Sequence, residues 1–176
     1  MGVLTGLEIK ERMKKGDIVI KPFNENQLGP NSYNLRLGNT LLVYTDDIID
    51  MKKSNPTKEI IIPKEGYVLQ PGELYLGKTI EWTETDNLVP ILEGRSSTAR
   101  LGMQIHLTGG WGDIGNKLNW TLEIKVTKPL RVYAGSEVCQ IAYHTIEGDP
   151  SMKYNGKYQG NTEIGASKMF KDFNDK

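Results

Sequence analysis

Asn119-Trp120-Thr121-Leu122-Glu123-Ile124-Lys125-Val126 alternates without a break between polar and apolar residues. Successive side chains of an extended strand point to opposite faces, so Trp120, Leu122, Ile124 and Val126 share one face while Thr121, Glu123 and Lys125 share the other. A helix would scatter the same residues around its circumference; period two fixes a half-buried strand. If the polar face lines a pocket, Glu123 can take a proton from water and pass it to a leaving amine. If that face meets solvent, Glu123 and Lys125 are ordinary strand charges.

Outward from this segment the same style recurs. Ile18 to Ile20, Tyr33 to Leu37, Leu41 to Tyr44, Glu59 to Ile62, Tyr67 to Leu69, Leu74 to Glu81 and Leu88 to Leu92 read as short strands, followed by Met103 to Leu107, Leu130 to Tyr133 and Val138 to Ile146. Gly, Pro, Asn and Asp separate them, as turn chemistry requires. Many short strands at close spacing predict a mainly β fold: a sandwich, jelly roll or distorted barrel. One short helix is expected first, from Thr5 to Lys15, with Leu7, Ile9 and Met13 among charges and a basic last turn before the C-cap Gly16. From Asp149 the strand pattern is lost, so residues 149–176 read as a polar, mobile arm on a β domain of residues 1–148.

Composition narrows the function classes. The chain has 176 residues, 38% hydrophobic and 25% charged, which suits one soluble globular domain. Its 22 basic and 22 acidic residues cancel, so no long-range field draws it toward nucleic acid or an anionic membrane. Any phosphate must be gripped locally. A single cysteine, Cys139, excludes an internal disulfide; with no membrane-length apolar run and no signal-peptide pattern, the expected location is the cytoplasm. With that one cysteine and two histidines, His106 and His144, the chain lacks the His/Cys/Cys or Cys₃ ligand set of zinc-dependent nucleobase deaminases.

A local grip is present in Gly94-Arg95-Ser96-Ser97-Thr98-Ala99-Arg100-Leu101-Gly102. The segment predicts a short helix with its first turn capped by serine, so that backbone N–H groups, hydroxyls and two guanidinium groups converge on an anion. The alternative is a capped surface helix whose arginines meet solvent or pair with Glu93. Farther along, Gly109-Gly110-Trp111-Gly112-Asp113-Ile114-Gly115-Asn116 is rich enough in glycine to bring backbone close to a ligand, or to form a plain hairpin turn.

In order along the chain, these segments resemble the dCTP deaminase and dUTPase family. Pro30-Asn31-Ser32-Tyr33-Asn34-Leu35-Arg36-Leu37-Gly38 is similar to the family's first block, with Asn34 where Asp is usual. Leu69 to Gly77 is similar to its L-x-P-G-x-F-x-L segment. Gly94 to Gly102 reproduces the nucleotide motif G-R-S-S-x-A-R-x-G, and His106 to Glu123 matches the family's hairpin in length and in both carboxylates, Asp113 and Glu123. Val138 to Ile141 and Tyr154 to Gln159 resemble the last two blocks. The chain departs from the pattern at Asn116, Leu118 and Asn161, and Thr162 to Ile164 resembles a small insertion before Gly165.

The resemblance implies a distorted jelly roll of the dUTPase type, with a short N-terminal helix and a short helix carrying the Arg-Ser-Ser motif. It also implies a homotrimer with active sites shared between subunits, and Mg²⁺ riding on a triphosphate rather than a zinc ion on the base. Catalytic roles fall on Glu123, Ser96, Arg100 and Asp113. Substrate binding falls on Arg95 to Arg100 (Arg95, Ser96, Ser97, Thr98, Ala99, Arg100), on Gly109, Asp113, Thr121, Leu122 and Glu123, and on Gln140, Tyr154, Lys157 and Asn161 as the C-terminal arm closes. The first expectation is deamination of dCTP to dUTP and ammonia, because dedicated dUTPases need no glutamate at the position of Glu123. A bifunctional enzyme that continues to dUMP and pyrophosphate is the second, and a pure dUTPase the third. The altered hairpin leaves room for a modified cytosine nucleotide as substrate, dTTP is a candidate inhibitor, and a regulatory nucleotide-binding trimer is the non-enzymatic alternative.

Overall fold

The structure, a computed structural model, describes residues 2–174. Helix α1 (Gly6–Lys15) and strand β1 (Ile18–Lys21) lead through one 3₁₀ turn (Glu25–Gln27) into β2 (Tyr33–Arg36), β3 (Thr40–Tyr44), β4 (Thr57–Ile61), β5 (Tyr67–Leu69), β6 (Tyr75–Thr85) and β7 (Leu88–Gly94). Helix α2 (Ser96–Arg100) precedes β8 (Met103–Gln104), β9 (Lys117–Val126), β10 (Leu130–Val132) and β11 (Glu137–Thr145), and α3 (Lys171–Asn174) ends the described chain.

Local chemistry sets these elements much as the sequence implies. Thr5 caps α1 by accepting the Glu8 N–H at 3.2 Å, and Gly16 ends the helix at φ 83°, in the left-handed region that glycine tolerates best. On β9 the expected alternation holds: Trp120, Leu122, Ile124 and Val126 are buried, while Thr121, Glu123 and Lys125 are half-buried on the opposite face.

The largest sheet runs β4-β3-β6-β9-β8, with β1 also paired to β6. A three-stranded sheet runs β2-β11-β7, and β10 pairs with β5. All of these pairings are antiparallel. Leu122 and Ile124 of β9 join Leu35, Leu92, Ile141 and Tyr143 in one core. Full burial of each such aliphatic side chain contributes about 1.5–3 kcal/mol. Among the described residues no sheet closes on itself, so the mainly β expectation takes the form of a distorted jelly roll and not a closed barrel.

β6 continues past the expected end at Glu81 to Thr85, because β1 pairs with Trp82 through Thr85. The apolar pattern stops there because Glu81, Thr83 and Thr85 face inward and are buried. Hydrogen bonds support the burial of the first two: Glu81 accepts from Arg36 Nε at 2.6 Å, from the Arg36 N–H at 2.8 Å and from Gln27 Nε2 at 2.9 Å. Thr83 accepts the indole N–H of Trp120 at 2.9 Å. β8, expected to reach Leu107, ends at Gln104. Beyond it Glu123 holds the chain, its N–H donating to Ile105 O at 2.9 Å and its carboxylate accepting the Leu107 N–H at 3.0 Å.

Cys139 lies on β11 with no exposed surface, and burial pushes its thiol well above the usual range. The native protein is therefore expected to resist a disulfide-exchange reagent at pH 8 and to release one reactive thiol per chain on denaturation. Rapid labelling of the native protein would contradict this burial.

The C-terminal segment runs back over the body. The Tyr154 N–H donates to Ile114 O at 2.7 Å, and the Gly160 N–H to Lys117 O at 2.9 Å. Asn161 O accepts the Asn119 N–H at 2.9 Å, and Lys78 Nζ reaches Thr162 O at 2.8 Å and Glu163 at 3.1 Å. The Ser167 N–H ends this path on the Tyr44 hydroxyl at 3.0 Å. The segment thus crosses the polar face of β9.

Candidate active site

The Arg-Ser-Ser segment forms α2 at the end of β7, with one difference from expectation. Arg95, not a serine, is the N-cap residue, extended at φ −77° and ψ 146°, and no side chain caps the helix. The turn is fastened instead by Thr98, whose hydroxyl donates to Arg95 O at 2.8 Å and lies 3.0 Å from Val138 O. This leaves the Ser96 and Ser97 side chains inside an exposed first turn that carries no acidic residue. Ala99 and Arg100 are also exposed, and Arg100 reaches back to Ser96 O at 3.2 Å. Arg95 does not pair with Glu93; its NH1 lies 3.1 Å from the Glu137 carboxylate and donates to Glu137 O at 3.0 Å. Glu93 stands instead 3.4 Å from His106 Nε2. Gln140, on neighbouring β11, braces the grip by donating to Gly94 O at 3.2 Å and accepting from the Ser32 hydroxyl at 2.8 Å.

Glu123 lines a cavity of about 370 Å³ together with Leu118, Trp120, Thr121, Asn161 and Tyr158. Its Oε2 accepts the Leu107 N–H at 3.0 Å. Above Oε1 stands Gly109, where an added Cβ would lie 3.4 Å away. The carboxylate is thus anchored on one oxygen while the other, among the described residues, accepts no hydrogen bond, a geometry suited to accepting a proton from a water and returning it. Asn161 and Gly165 of the C-terminal segment close one side of the cavity, and the Gly165 N–H lies 3.4 Å from Thr121 Oγ1. Leu122 is buried in the core, so a ligand can meet only its backbone.

Asp113 is exposed and lines a second cavity, of about 440 Å³, with Trp111, Lys153 and Tyr154. The hairpin that carries it lies against β7 through Leu92 N–H to Gly110 O at 2.7 Å and Gly112 N–H to Pro90 O at 2.8 Å. A Cβ at Gly110 would sit 2.4 Å from Leu92 O, and one at Gly112 would sit 2.6 Å from the Trp120 ring. Close backbone approach, more than turn flexibility, is what these two glycines supply. Asn116 is buried and accepts the Thr85 N–H through its backbone at 3.2 Å. An aromatic ring at this position would need a different packing around the hairpin.

Within one chain the expected residues therefore form three groups. Arg95 to Arg100 and Gln140 cluster at α2, Thr121, Glu123 and Asn161 line the first cavity with Gly109 beside Glu123 Oε1, and Asp113 and Tyr154 border the second. Neither cavity is lined by an α2 residue. Lys157, expected near phosphate, is ion-paired with Asp172, whose hydrogen bond raises its pKa above the ordinary lysine range. The sequence reading missed the Leu107 N–H and the apolar wall of Tyr44, Leu74 and Leu76. No local signal marks these residues, because they meet Glu123 only through sheet pairing and the returning C-terminal segment. Glu137, which pairs with Arg95, was also missed, and Asn34, noted only as a departure from the family pattern, donates to it.

Residues 3–146 match the family model described as dCTP deaminase-like. The chain is 58% identical over 171 residues to the "dCTP deaminase, dUMP-forming" of Hathewaya histolytica, covering 97% of this chain and 99% of that protein. It is also 58% identical over 174 residues to the protein of the same name from Leptospira biflexa, covering 99% of each. The crystal structure of 2'-deoxycytidine 5'-triphosphate deaminase from Agrobacterium tumefaciens has a TM-score of 0.65 at 20% identity, over 82% of this chain and 48% of that one. At that identity the likeness bears on the fold alone.

Proposed function

The chain belongs to the dCTP deaminase-like family, and from that premise we propose that it converts dCTP in two hydrolytic steps to dUMP, releasing ammonia and then pyrophosphate. The single observation that carries the reading is Glu123, anchored by the Leu107 N–H and open on Oε1 within a partly covered cavity. Relatives at 58% identity over nearly the whole chain bear the dUMP-forming name, which favours the two-step reaction over deamination to dUTP alone.

In the first step water adds to C4 of the cytosine ring. Glu123 takes a proton from that water, N3 is protonated, and the second proton transfer lets the exocyclic amine leave as ammonia. Thr121 and the backbone at Gly109 and Leu122 face the pyrimidine edge. In the second step Asp113 directs a water at the α-phosphate of dUTP, and pyrophosphate departs. Arg95, Ser96, Ser97 and Arg100, with Gln140, hold the phosphates, and Arg100 and Ser96 also order the catalytic water; Thr98 and Ala99 shape this turn.

Mg²⁺, a hard cation, would sit on the triphosphate oxygens and neutralise part of their charge, since α2 offers hydroxyls and guanidinium groups but no carboxylate to hold it. Because α2 borders neither cavity of its own chain, the complete site is assigned to a homotrimer in which one subunit supplies the grip and its neighbour Glu123 and Asp113. On this reading residues 149–176 form the arm that closes over nucleotide, with Tyr154, Lys157 and Asn161 meeting the substrate, and Lys157 exchanges Asp172 for phosphate on closure. dTTP is the proposed competitor for the site, and the cytoplasm the proposed location.

The role of Asp113 is tested by Asp113→Asn. The variant is expected to keep releasing ammonia from dCTP while pyrophosphate release falls about 10²–10⁴-fold, so that dUTP accumulates. Chromatography of the nucleotides checks this. Formation of dUMP at the wild-type rate would remove Asp113 from the second step, and binding of dCTP without turnover in the wild type would favour a regulatory trimer.

A further inference from the structure

β11 is irregular where it meets β2: the pairing shifts register between Glu137 and Cys139. Bulges of this kind turn a side chain out of the regular alternation. Here the Glu137 carboxylate comes within 3.1 Å of Arg95 NH1, and the Glu137 backbone oxygen accepts from the same nitrogen at 3.0 Å. The carboxylate also accepts from Asn34 Nδ2 at 2.9 Å, and the Asn34 backbone oxygen in turn accepts from Gln27 Nε2 at 2.8 Å. Glu137 and Arg95 are about two-thirds buried, with side-chain exposures of 30% and 33%.

We propose that Glu137, braced by Asn34, is a positioning residue that clamps one edge of Arg95 so that the rest of the guanidinium faces a nucleoside triphosphate. The inference rests on the assignment of Arg95 to the phosphate grip. Both contacts use NH1, and among the described residues Nε and NH2 of Arg95 have no hydrogen-bond partner. A planar fork fixed along one side presents the other as a preset pair of donors, which is the arrangement bidentate phosphate contacts require. Asn34 suits this clamp chemically. Its amide donates to the carboxylate without adding charge, whereas an aspartate there would set a second anion against Glu137 and loosen Arg95.

The test compares kcat and KM for dCTP with Mg²⁺ in Arg95→Ala, Glu137→Ala, Glu137→Gln, Asn34→Asp and the double variant R95A/E137A, with thermal unfolding of each as a control for folding. Immobilising one flexible side chain in advance is worth about three- to tenfold in affinity. Glu137→Ala is therefore expected to raise KM about three- to tenfold with kcat within about twofold, and Asn34→Asp to do the same. Glu137→Gln should restore KM, because its side-chain oxygen can keep the place of the carboxylate oxygen beside Arg95 NH1 and still accept from Asn34 Nδ2. The double variant should be no worse than Arg95→Ala alone. The clamp is overturned if Glu137→Ala leaves KM unchanged, if Glu137→Gln is as impaired as alanine, or if the Glu137 effect persists in full without Arg95. If Arg95→Ala itself leaves KM unchanged, the phosphate assignment of Arg95 fails; if it raises KM and Glu137→Ala does not, only the clamp fails.

Discussion

Glu123→Gln is expected to stop ammonia release from dCTP, with a fall of about 10²–10⁴-fold in turnover, while the variant still binds the nucleotide. The substitution keeps the length and shape of the side chain. Its carbonyl oxygen can go on accepting the Leu107 N–H, now at 3.0 Å from Oε2, so the chain around Ile105 to Gly109 keeps its position. What is lost is the ability to take a proton from water and give it to the amine. Truncation to alanine would also free the Leu107 N–H and so confuse geometry with chemistry. The glutamine variant avoids this, and ammonia detection beside calorimetric binding of dCTP separates the two effects. Ammonia at the wild-type rate would remove Glu123 from the reaction.

Arg36→Met is expected to destabilise the fold by about 3–5 kcal/mol, the usual cost of removing one partner from a buried ion pair. Glu81 has no exposed surface, and Arg36 supplies both its 2.6 Å side-chain contact and, through the backbone, a second donor at 2.8 Å. Methionine fills much of the same volume but, among the described residues, leaves the carboxylate with only the Gln27 amide and the backbone N–H of position 36 as donors. The pair serves the junction of β2 and β6 and touches neither cavity, but Gln27 links Glu81 to Asn34 and Arg36 lies opposite Glu137 in the register, so the unfolding effect is measured apart from activity. Denaturant unfolding at equal protomer concentration measures it, since assembly adds a concentration-dependent share of stability. A loss below about 1 kcal/mol would mean that the charge is compensated elsewhere.

How much of this was legible in the sequence follows from how local each feature is. The alternation of β9, the capped α1 and the position of α2 rest on neighbours within a few residues, and each appears where the pattern places it. The expected β6 ends at Glu81 because Thr83 and Thr85 look like surface residues until β1 pairs alongside them and Trp120 is brought to Thr83 by the sheet. By pattern alone the polar face of β9 reads more readily as solvent-facing; the returning segment from Asn161 to Gly165 makes part of it a cavity wall. The serine cap failed for a geometric reason. Arg95 takes the extended capping position because it leaves β7 directly, and Thr98 makes the fastening bond to its carbonyl oxygen. Asp113 and Glu123 sit close in sequence yet border different cavities, because the Gly110 and Gly112 contacts fold the hairpin onto β7.

A single protein that carries out both hydrolyses leaves a distinct pattern of products. Purified protein is incubated with dCTP and Mg²⁺, and ammonia, dUTP, dUMP and pyrophosphate are followed together. Ammonia, dUMP and pyrophosphate rising in equal amounts, with little free dUTP, is the expected result. Ammonia with stoichiometric dUTP and no pyrophosphate would contradict the two-step reaction.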